Sequence, residues 1–482
     1  MNAAGRDRLW TALFALIACA GPRPRPDPPP IDLVIEHAAP GRFVARIEAG
    51  AAREVRFVRR SAGREGWRAR NAGGALPLVR DAGSDVLRST APLGRIEIDL
   101  PQDERPPEKD YRAFLEFSRG GVLVYSGQVA AEIDGAFRPQ RITLVPLPGE
   151  TVIAQGRIAR GPLRIDVDGD GTYACFCTVD ALDDERVTAV VDAGMWPEAA
   201  GAARALLPPL FRLYEERLGA RLPWRPTVFI SGKVAGGPRS IDMGGGTLDA
   251  LIQIHLGLGS ERSVAEPDIA RDFEGNVAHE AAHLWAGQLF RPLAPRGDWM
   301  YEGAADVLSW RALILLGRWT GEAMADRAAR AASVCILGGG SGPLAQAKVK
   351  VWYGCGAMVT LIAEASARVR DPAADAFSLW RAVHERARGG GYEASDLFAG
   401  FAAAGADATL LARLRARVEG TALAPSWEEL MSLAGLRPRS VPPPPEGIAR
   451  VRRDVCGSAR ACPEARWVAL EGLWRGAPGA GR

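Results

Sequence analysis

Short runs of alternating apolar and polar residues fill the chain from about residue 31 to residue 190. Glycine, proline and aspartate separate these runs, as in proteins built from many short strands. The clearest runs are residues 33–35, 43–47, 55–58, 95–98, 114–117 and 122–125. The pattern predicts a β-rich N-terminal domain, residues 32–190, with the architecture of a sandwich or an open barrel.

The hydrophobic spacing changes near residue 195, where apolar residues begin to recur at helical intervals. A helix is predicted at residues 197–218, and strands at residues 227–230 and 248–256, with a glycine-rich stretch before the second strand. Helices are predicted from there to about residue 435. These elements predict a second domain, residues 195–435, made of a small mixed sheet and a helical lobe, so the fold class is α+β.

Two helices of the second domain contain most of the candidate chemistry. The first is predicted from Asp268, which could cap its start, to about Leu289, before Pro292. The second is predicted to begin at Glu302 and to run towards Leu316. The metal-binding pattern described below falls on these two helices.

The first 19 residues have the features of an export signal. Basic residues precede an apolar stretch, residues 9–18, that is too short to span a bilayer as a stable helix. The stretch ends at Cys19 and resembles the bacterial lipobox, in which this cysteine becomes a lipid-bearing N-terminus. A proline-rich tether follows at residues 20–31. We expect lipid on Cys19 to hold the protein at the bacterial cell envelope, on the periplasmic or outer-membrane face; the alternative is an ordinary signal peptide cleaved near Ala20.

Composition narrows the range of partners. The chain has 482 residues, of which 24% are charged, and its net charge is only +3. A near-neutral balance without a broad basic field argues against nucleic-acid binding. After the export signal, the sequence contains no uninterrupted run of 18 apolar residues, so no transmembrane helix is expected.

Cysteine usage fits an exported protein with disulfides. Six cysteines follow Cys19 in the chain: Cys175, Cys177, Cys335, Cys355, Cys456 and Cys462. Cys335 with Cys355 is a plausible bridge, and Cys456 with Cys462 would close a loop in the Pro- and Arg-rich C-terminal tail, residues 436–482. Cys175 and Cys177, on one predicted strand, are harder to place. Fifteen pairings are possible, and a cysteine-based zinc site is a weaker alternative because no C-x-x-C pair exists.

The segment His279-Glu280-Ala281-Ala282-His283 is the most informative one in the chain, which has five histidines in all. Residues i and i+4 of a helix lie on one face, so two imidazoles could bind one zinc ion. Glu280 would lie beside them, where it could take a proton from a zinc-bound water. Glu302 could complete the protein ligands and leave a fourth position for water, which is a catalytic rather than a structural zinc arrangement.

These residues resemble the gluzincin metallopeptidases, and in particular their aminopeptidase N-like and glycyl aminopeptidase-like branch. The segment Trp299-Met300-Tyr301-Glu302-Gly303-Ala304-Ala305-Asp306 is similar to that branch's W-x-x-E-G-x-x-D run. The resemblance implies a thermolysin-like catalytic domain. It also implies that Asp306 accepts a hydrogen bond from a zinc-bound histidine; an aspartate that merely suits the helix dipole is the alternative.

A third segment resembles the Y-x-K-G-A run of the aminopeptidase N-like enzymes. In this chain it reads Tyr353-Gly354-Cys355-Gly356-Ala357, with Cys355 in place of the family's lysine. The resemblance implies that the hydroxyl of Tyr353 stabilises the oxyanion of the tetrahedral intermediate, which requires a neutral donor. The alternative is a tyrosine in the core at the start of a helix.

One family motif is absent. Aminopeptidases of this branch have a G-x-M-E-N run whose glutamate binds the free amino group of the substrate, but the matching place here reads Asp242-Met243-Gly244-Gly245-Gly246. Asp249 could substitute for that glutamate, although its side chain is shorter. The predicted strand 248–256 could instead hold an extended substrate by backbone pairing, which would suit an endopeptidase.

A calcium loop is a further, weaker possibility. The segment Asp166-Val167-Asp168-Gly169-Asp170-Gly171 starts like such a loop, but Cys177 stands where the twelfth position needs glutamate. A tight turn explains its glycines equally well.

Together the patterns predict a zinc metallopeptidase with one Zn²⁺ per chain, acting on peptides or proteins. Glu280 would act as general base, His279, His283 and Glu302 as ligands, and Tyr353 as the oxyanion donor. An aminopeptidase with an atypical amine anchor, and a non-catalytic binding or assembly module on the same fold, are the alternatives.

Overall fold

The structure is a computed structural model. It describes residues 29–473, apart from residues 59–61, 82, 103–110, 169–170, 235, 294–296, 341, 388–389, 445–446 and 457–464. The export signal, Cys19, most of the tether, Asp170 and Cys462 therefore lie outside the described residues, and the predictions made for them stay predictions.

Nineteen strands lie in the first part of the described chain. They are β1 (Ile31–Ala39), β2 (Arg42–Gly50), β3 (Glu54–Phe57), β4 (Arg68–Asn71), β5 (Gly74–Leu76), β6 (Leu78–Asp81), β7 (Ser84–Arg88), β8 (Gly94–Pro101), β9 (Phe114–Glu116), β10 (Gly121–Tyr125), β11 (Ala131–Ile133), β12 (Ala136–Phe137), β13 (Gln140–Val145), β14 (Thr151–Ala154), β15 (Arg157–Ala159), β16 (Leu163–Val167), β17 (Tyr173–Cys177), β18 (Leu182–Asp183) and β19 (Thr188–Val191).

The second part is largely helical. Its helices are α1 (Pro197–Leu218), α2 (Pro267–His283), α3 (Asp298–Leu315), α4 (Gly321–Gly338), α5 (Val349–Arg368), α6 (Ala376–Arg386), α7 (Ala394–Ala403), α8 (Ala408–Glu419), α9 (Trp427–Leu433) and α10 (Gly447–Cys456). Its strands are β20 (Thr227–Val234), β21 (Ile241–Leu248), β22 (Leu251–Leu258), β23 (Arg291–Pro292), β24 (Gly391–Tyr392), β25 (Arg437–Val441) and β26 (Trp467–Glu471).

Three sheets form the β-rich region. Their strand orders are β16-β13-β1-β2-β8-β4-β5, β15-β14-β17-β10-β9 and β12-β11-β3-β7-β6. Alternate side chains of these strands meet in one apolar core, as the two-residue period of a half-buried strand requires. The prediction of mixed α+β architecture with a β-rich N-terminal region is confirmed.

The strand β17 joins this region to the rest of the molecule because both of its faces are buried. Ala174 and Phe176 point into the β-rich core. The side chains of Tyr173, Cys175 and Cys177 point the other way, against Phe229 and Leu251 of the next sheet. Cys175 and Cys177 therefore face the same side, and both are free and buried thiols.

The fourth sheet has the order β18-β19-β20-β22-β21. The strands β19, β20 and β22 are parallel, whereas β21 runs antiparallel to β22 at the edge. The face of this sheet opposite the β-rich region packs on α1 and α2, where Ile252 and Ile254 meet Phe273 and Val277 in the main core. The edge strand β21 passes close to the C-terminal half of α2.

Three boundary predictions were wrong. The glycine-rich stretch is itself the edge strand β21, and the strand predicted at 248–256 is the interior strand β22, since a turn at Asp249 and Ala250 closes a hairpin. Asp268 does not cap α2: Pro267, whose fixed φ suits a helix start, takes the first position, and Asp268 pairs with Arg262. Helix α3 begins one turn before Glu302, at Asp298.

Part of the C-terminal tail is ordered. The strands β25 and β26 pair, and Val468 N–H donates to Ser333 Oγ of α4. The predicted disulfide between Cys335 of α4 and Cys355 of α5 is confirmed. Within the described residues, none of the helices combines the length and the apolar character needed to cross a membrane.

Candidate active site

The two histidines of α2 lie side by side, as their spacing predicts. One helical turn separates His279 from His283, and their Nε2 atoms are 3.0 Å apart. Both side chains are buried, on the face of α2 that turns towards α3. The local helix therefore sets the distance between these two nitrogens without help from the rest of the chain.

Helix α3 brings Glu302 to the same point. Its Oε2 atom lies 3.3 Å from Nε2 of His279 and 3.2 Å from Nε2 of His283. One ligand atom from each of the three residues falls within 4.8 Å of the others. The sequence prediction that these three side chains converge is thus met by the geometry.

The donor set fits a metal cation. Nδ1 of His279 lies 2.9 Å from Oδ1 of Asp306, which fixes the ring and leaves the lone pair of Nε2 facing the other two ligands. Nδ1 of His283 is buried without a partner among the described residues. Three acceptor atoms directed at one another repel unless a proton or a cation lies between them. Two imidazole nitrogens and one carboxylate oxygen are the set that zinc prefers in catalytic sites.

The charges around this point favour a cation. Burial alone would lower the pKa of His279, but hydrogen bonds to Asp306 and Glu302 outweigh it and raise the pKa to about 10. Burial likewise would raise the pKa of Glu302, yet its hydrogen bonds to the two histidines hold that pKa well below its ordinary value. The site therefore attracts positive charge to the place where the three ligands meet.

Glu280 is buried and lines a cavity that also borders His279 and Tyr353. Burial raises the pKa of its carboxyl above the ordinary value, against the opposing effect of the two histidines. A carboxylate with a raised pKa is a stronger proton acceptor, which suits a general base. Among the described residues, no group forms a hydrogen bond with the carboxyl group of Glu280. The carboxyl is therefore available to a substrate or to water.

Tyr353 lies across the cavity from the edge strand. Its ring stacks on that of His279, with centroids 5.8 Å apart and an interplanar angle of 16°. Burial raises the pKa of the phenol far above its ordinary value, and the charge of Glu302 adds to the effect. The hydroxyl therefore stays protonated and can donate a hydrogen bond, as an oxyanion donor must.

Glycines decide how closely the helices of the site approach. A Cβ atom added to Gly356 of α5 would lie 2.0 Å from the carbonyl oxygen of Trp299, and one added to Gly303 would lie 2.0 Å from the backbone of Gly356. The backbones of α3 and α5 thus touch directly behind Glu302 and Tyr353. This role of Gly303 and Gly356 was not predicted from the sequence; the signal for Gly356 is that two glycines flank Cys355 within a helix.

A second close contact holds α5 from the other side. A Cβ atom at Gly354 would lie 2.9 Å from the carbonyl oxygen of Ala331 on α4. The next residue, Cys355, is bridged to Cys335 of α4. The residue that replaces the family's lysine therefore crosslinks the helix that bears Tyr353 to its neighbour.

The edge strand β21 forms the opposite wall of the cavity. A Cβ atom at Gly245 would lie 3.0 Å from both Cγ and Oε1 of Glu280, so the strand can pass beside Glu280 only without a side chain there. On the other face of β21, a Cβ atom at Gly244 would lie 2.7 Å from the ring of His255. Asp249 lies in the exposed hairpin turn and pairs with Arg291 rather than facing the cavity.

The cavity has a volume of about 460 Å³. Edge-strand glycines, Glu280, Tyr353 and the tryptophans 310 and 319 line it, together with the basic residues Arg327, Arg330 and Lys350. This volume is in the range of small-ligand pockets, and an open cleft along a strand can hold a longer chain.

The predicted calcium site is not assembled by the described residues. Asp166 lies on β16, 3.5 Å from Arg141, and its side chain is largely exposed. Asp170 lies outside the described residues, so calcium binding stays a prediction.

The comparisons with known proteins give a likeness in fold. No protein-family model matches the sequence, and no curated protein matches it either. Among solved structures, an aminopeptidase N family protein from Idiomarina loihiensis matches with a TM-score of 0.61 and 14% sequence identity, over 86% of this chain and 80% of that chain. At this identity the match shows an aminopeptidase N-like fold and nothing about activity.

Proposed function

We propose that the chain is a zinc-dependent peptidase. The observation that carries the proposal is the convergence of His279, His283 and Glu302 on one point, with Glu280 free beside them at a cavity. These three residues would hold the ion, which would supply a Lewis acid that polarises a carbonyl and acidifies water. The aminopeptidase N-like fold supports the proposal.

The roles of the other residues follow from their positions. Glu280, with its raised pKa, accepts a proton from water and passes it to the leaving amine. Tyr353 keeps its proton and donates a hydrogen bond to the oxygen on which negative charge develops. Asp306 holds the ring of His279 and thereby its tautomer.

We propose endopeptidase rather than aminopeptidase cleavage. The segment of β21 beside the site is Gly244, Gly245 and Gly246, which offers no carboxylate to a substrate amino group. Asp249, the possible substitute anchor, is bound to Arg291 away from the cavity. An extended chain could then continue past the site along β21 instead of ending there.

The subcellular location of the protein is proposed from the sequence alone. The lipobox-like end of the first 19 residues and the proline-rich tether support a lipid-anchored protein of the bacterial cell envelope. Labelling with a fatty-acid analogue, lost in Cys19→Ala, would test this proposal independently of catalysis.

Metal content and peptide digestion test the peptidase proposal. The purified chain should contain one zinc ion, and His279→Ala should lose both the ion and all cleavage of a peptide library. Chelator treatment should abolish cleavage, and added Zn²⁺ should restore it. Asp268→Asn, on the first turn of the same helix, serves as the matched control and should behave like the wild type. Cleavage that survives in His279→Ala would refute the proposal.

A pair of peptides tests the mode of cleavage. A peptide with a free amino terminus and its N-acetylated twin should be cut at the same internal bond with kcat/KM values within about threefold of each other. A strong preference for the free amine, with release of the first residue, would instead identify an aminopeptidase with an unrecognised anchor.

A further inference from the structure

One cation at the active-site cavity has no acidic partner among the described residues. The chain contains only four lysines against 56 arginines. Lys350 is exposed at the mouth of the cavity, and its Nζ lies 5.1 Å from the centre of the Tyr353 ring. The ring of Tyr353 also stacks on that of His279.

Apart from Glu280, the other charged residues that line the cavity have charged partners. Arg327 pairs with Asp272, and Arg330 pairs with Asp454 at 2.8 Å. Asp306 is bound to His279. Lys348, the residue just before the first residue of α5, donates to the carbonyl oxygen of Val455 at 2.9 Å.

Within the described residues, the ammonium group of Lys350 contacts the ring of Tyr353 but no carboxylate. The residue lies in the first turn of α5, where a positive charge opposes the helix dipole. Its side chain is exposed, so it covers no core surface. A charge that weakens its own helix and faces a cavity is available to bind an anion that enters the cavity.

We infer that Lys350 selects peptides with a carboxylate close to the scissile bond, on the Tyr353 side of the site. This inference rests on the proposed peptidase function. The carboxylate belongs either to an aspartate or glutamate side chain or to the C-terminus of the substrate. Both bind a lysine in the same way, and the substrates below separate them.

The test is a set of matched internally quenched peptides. Glu, Gln or Lys occupies each position within three residues of the cleaved bond, and each peptide is made with a free C-terminus and with an amide. At one position the wild type should cleave the Glu peptide about three- to tenfold better than the Gln peptide, as expected for one partly solvated ion pair. If the C-terminus is the anion, the free-acid peptides should be preferred by a similar factor.

Three substitutions of Lys350 test whether this residue causes the preference for the Glu peptide over the Gln peptide. The Glu-over-Gln ratio should fall to about one in Lys350→Met, invert in favour of the Lys peptide in Lys350→Glu, and return in Lys350→Arg. Lys233→Met, which removes a lysine paired with Asp242 on the far side of β21, is the matched control and should keep the ratio. In zinc-loaded Glu280→Gln, Lys350→Met should weaken binding of the Glu peptide by the same factor.

Two results would overturn the inference. A ratio unchanged in Lys350→Met would show that the lysine meets no substrate anion. An equal loss on the Glu, Gln and Lys peptides would show that Lys350 acts on Tyr353 and not on the substrate. Failure of the peptidase proposal looks different, because then the wild type cleaves none of the peptides.

Discussion

The two walls of the cavity are built in opposite ways. The helical wall, formed by α2, α3 and α5, has close backbone contacts behind its functional side chains, at Gly303 and Gly356. The strand wall, β21, has glycines that face the cavity itself, at Gly245 beside Glu280. Glycine in the first wall brings the metal ligands and Tyr353 together, and glycine in the second leaves room for a substrate.

This difference separates two tasks. The helical wall contains the residues whose pattern resembles that of the gluzincins, His279, Glu280, His283 and Glu302, and with them the proposed chemistry. The strand wall has glycines, Gly244 to Gly246, in the segment where the sequence resemblance would place the amine-binding glutamate of the aminopeptidases. Under the proposed function, the chain would keep the chemistry of the resembled enzymes and hold its substrate differently.

The sharpest test of the helical wall is Glu280→Gln. The amide has the same shape but cannot accept the proton, so kcat should fall on the order of 10³- to 10⁴-fold. The zinc content should remain at one per chain, because Glu280 is not among the three converging ligands. Peptide hydrolysis and metal analysis measure the two effects, and wild-type activity in this variant would exclude Glu280 as the base.

Gly356→Ala should damage the fold itself. The added methyl group would lie 2.0 Å from the carbonyl oxygen of Trp299, so α3 and α5 must move apart. We expect a loss of about 3 kcal/mol in the free energy of unfolding, measured by chemical denaturation. Gly201→Ala is the control: an added Cβ on α1 meets nothing within 4 Å, and stability should rise by up to about 1 kcal/mol.

Tyr353→Phe should reduce kcat on the order of 10²-fold, the usual cost of one oxyanion donor, with little change in KM. The stacking on His279 persists, since the ring is kept. Tyr301→Phe removes a hydroxyl from the tyrosine that packs edge-on against His283, and should leave kcat nearly unchanged. Equal effects of the two substitutions would argue against a specific oxyanion role for Tyr353.

Gly245→Ala should affect activity more than stability, in contrast to Gly356→Ala. Its methyl group would meet the side chain of Glu280 at 3.0 Å and narrow the cleft, so we expect kcat/KM to fall about tenfold. The denaturation midpoint should shift little, because the flexible end of Glu280 can yield. Gly246→Ala, whose methyl group faces Tyr111 on the other side of β21, is the control, and an equal loss in both variants would mean that the strand as a whole is disturbed.

The closeness of the two histidines could be predicted from the sequence because the information is local. Four residues of helix place His279 and His283 on one face, whatever surrounds them. Glu302 and Tyr353 were predicted from resemblance, since their distance to the histidines depends on how three helices pack. The disulfide between Cys335 and Cys355 was one of fifteen possible pairings.

The strand wall was predicted less well for a physical reason. Three consecutive glycines have low strand propensity, so the pattern indicated a loop at Gly244 and a strand after it. Pairing with β22 along eight residues outweighs that local preference. Hydrogen bonds to β22 offset the unfavourable strand propensity of the glycines. The local sequence of β21 does not reveal this pairing partner, so the strand could not be predicted from it.

The sequence alone determined the α+β order of the elements, the two adjacent imidazoles and the acid between them, because each depends on the period of one helix or strand. Only the tertiary structure decided that α3 and α5 touch through Gly303 and Gly356, that β21 is the edge strand, and that Lys350 lies at the mouth of the cavity. These features depend on contacts between distant segments, and such contacts depend on the shape of both partners.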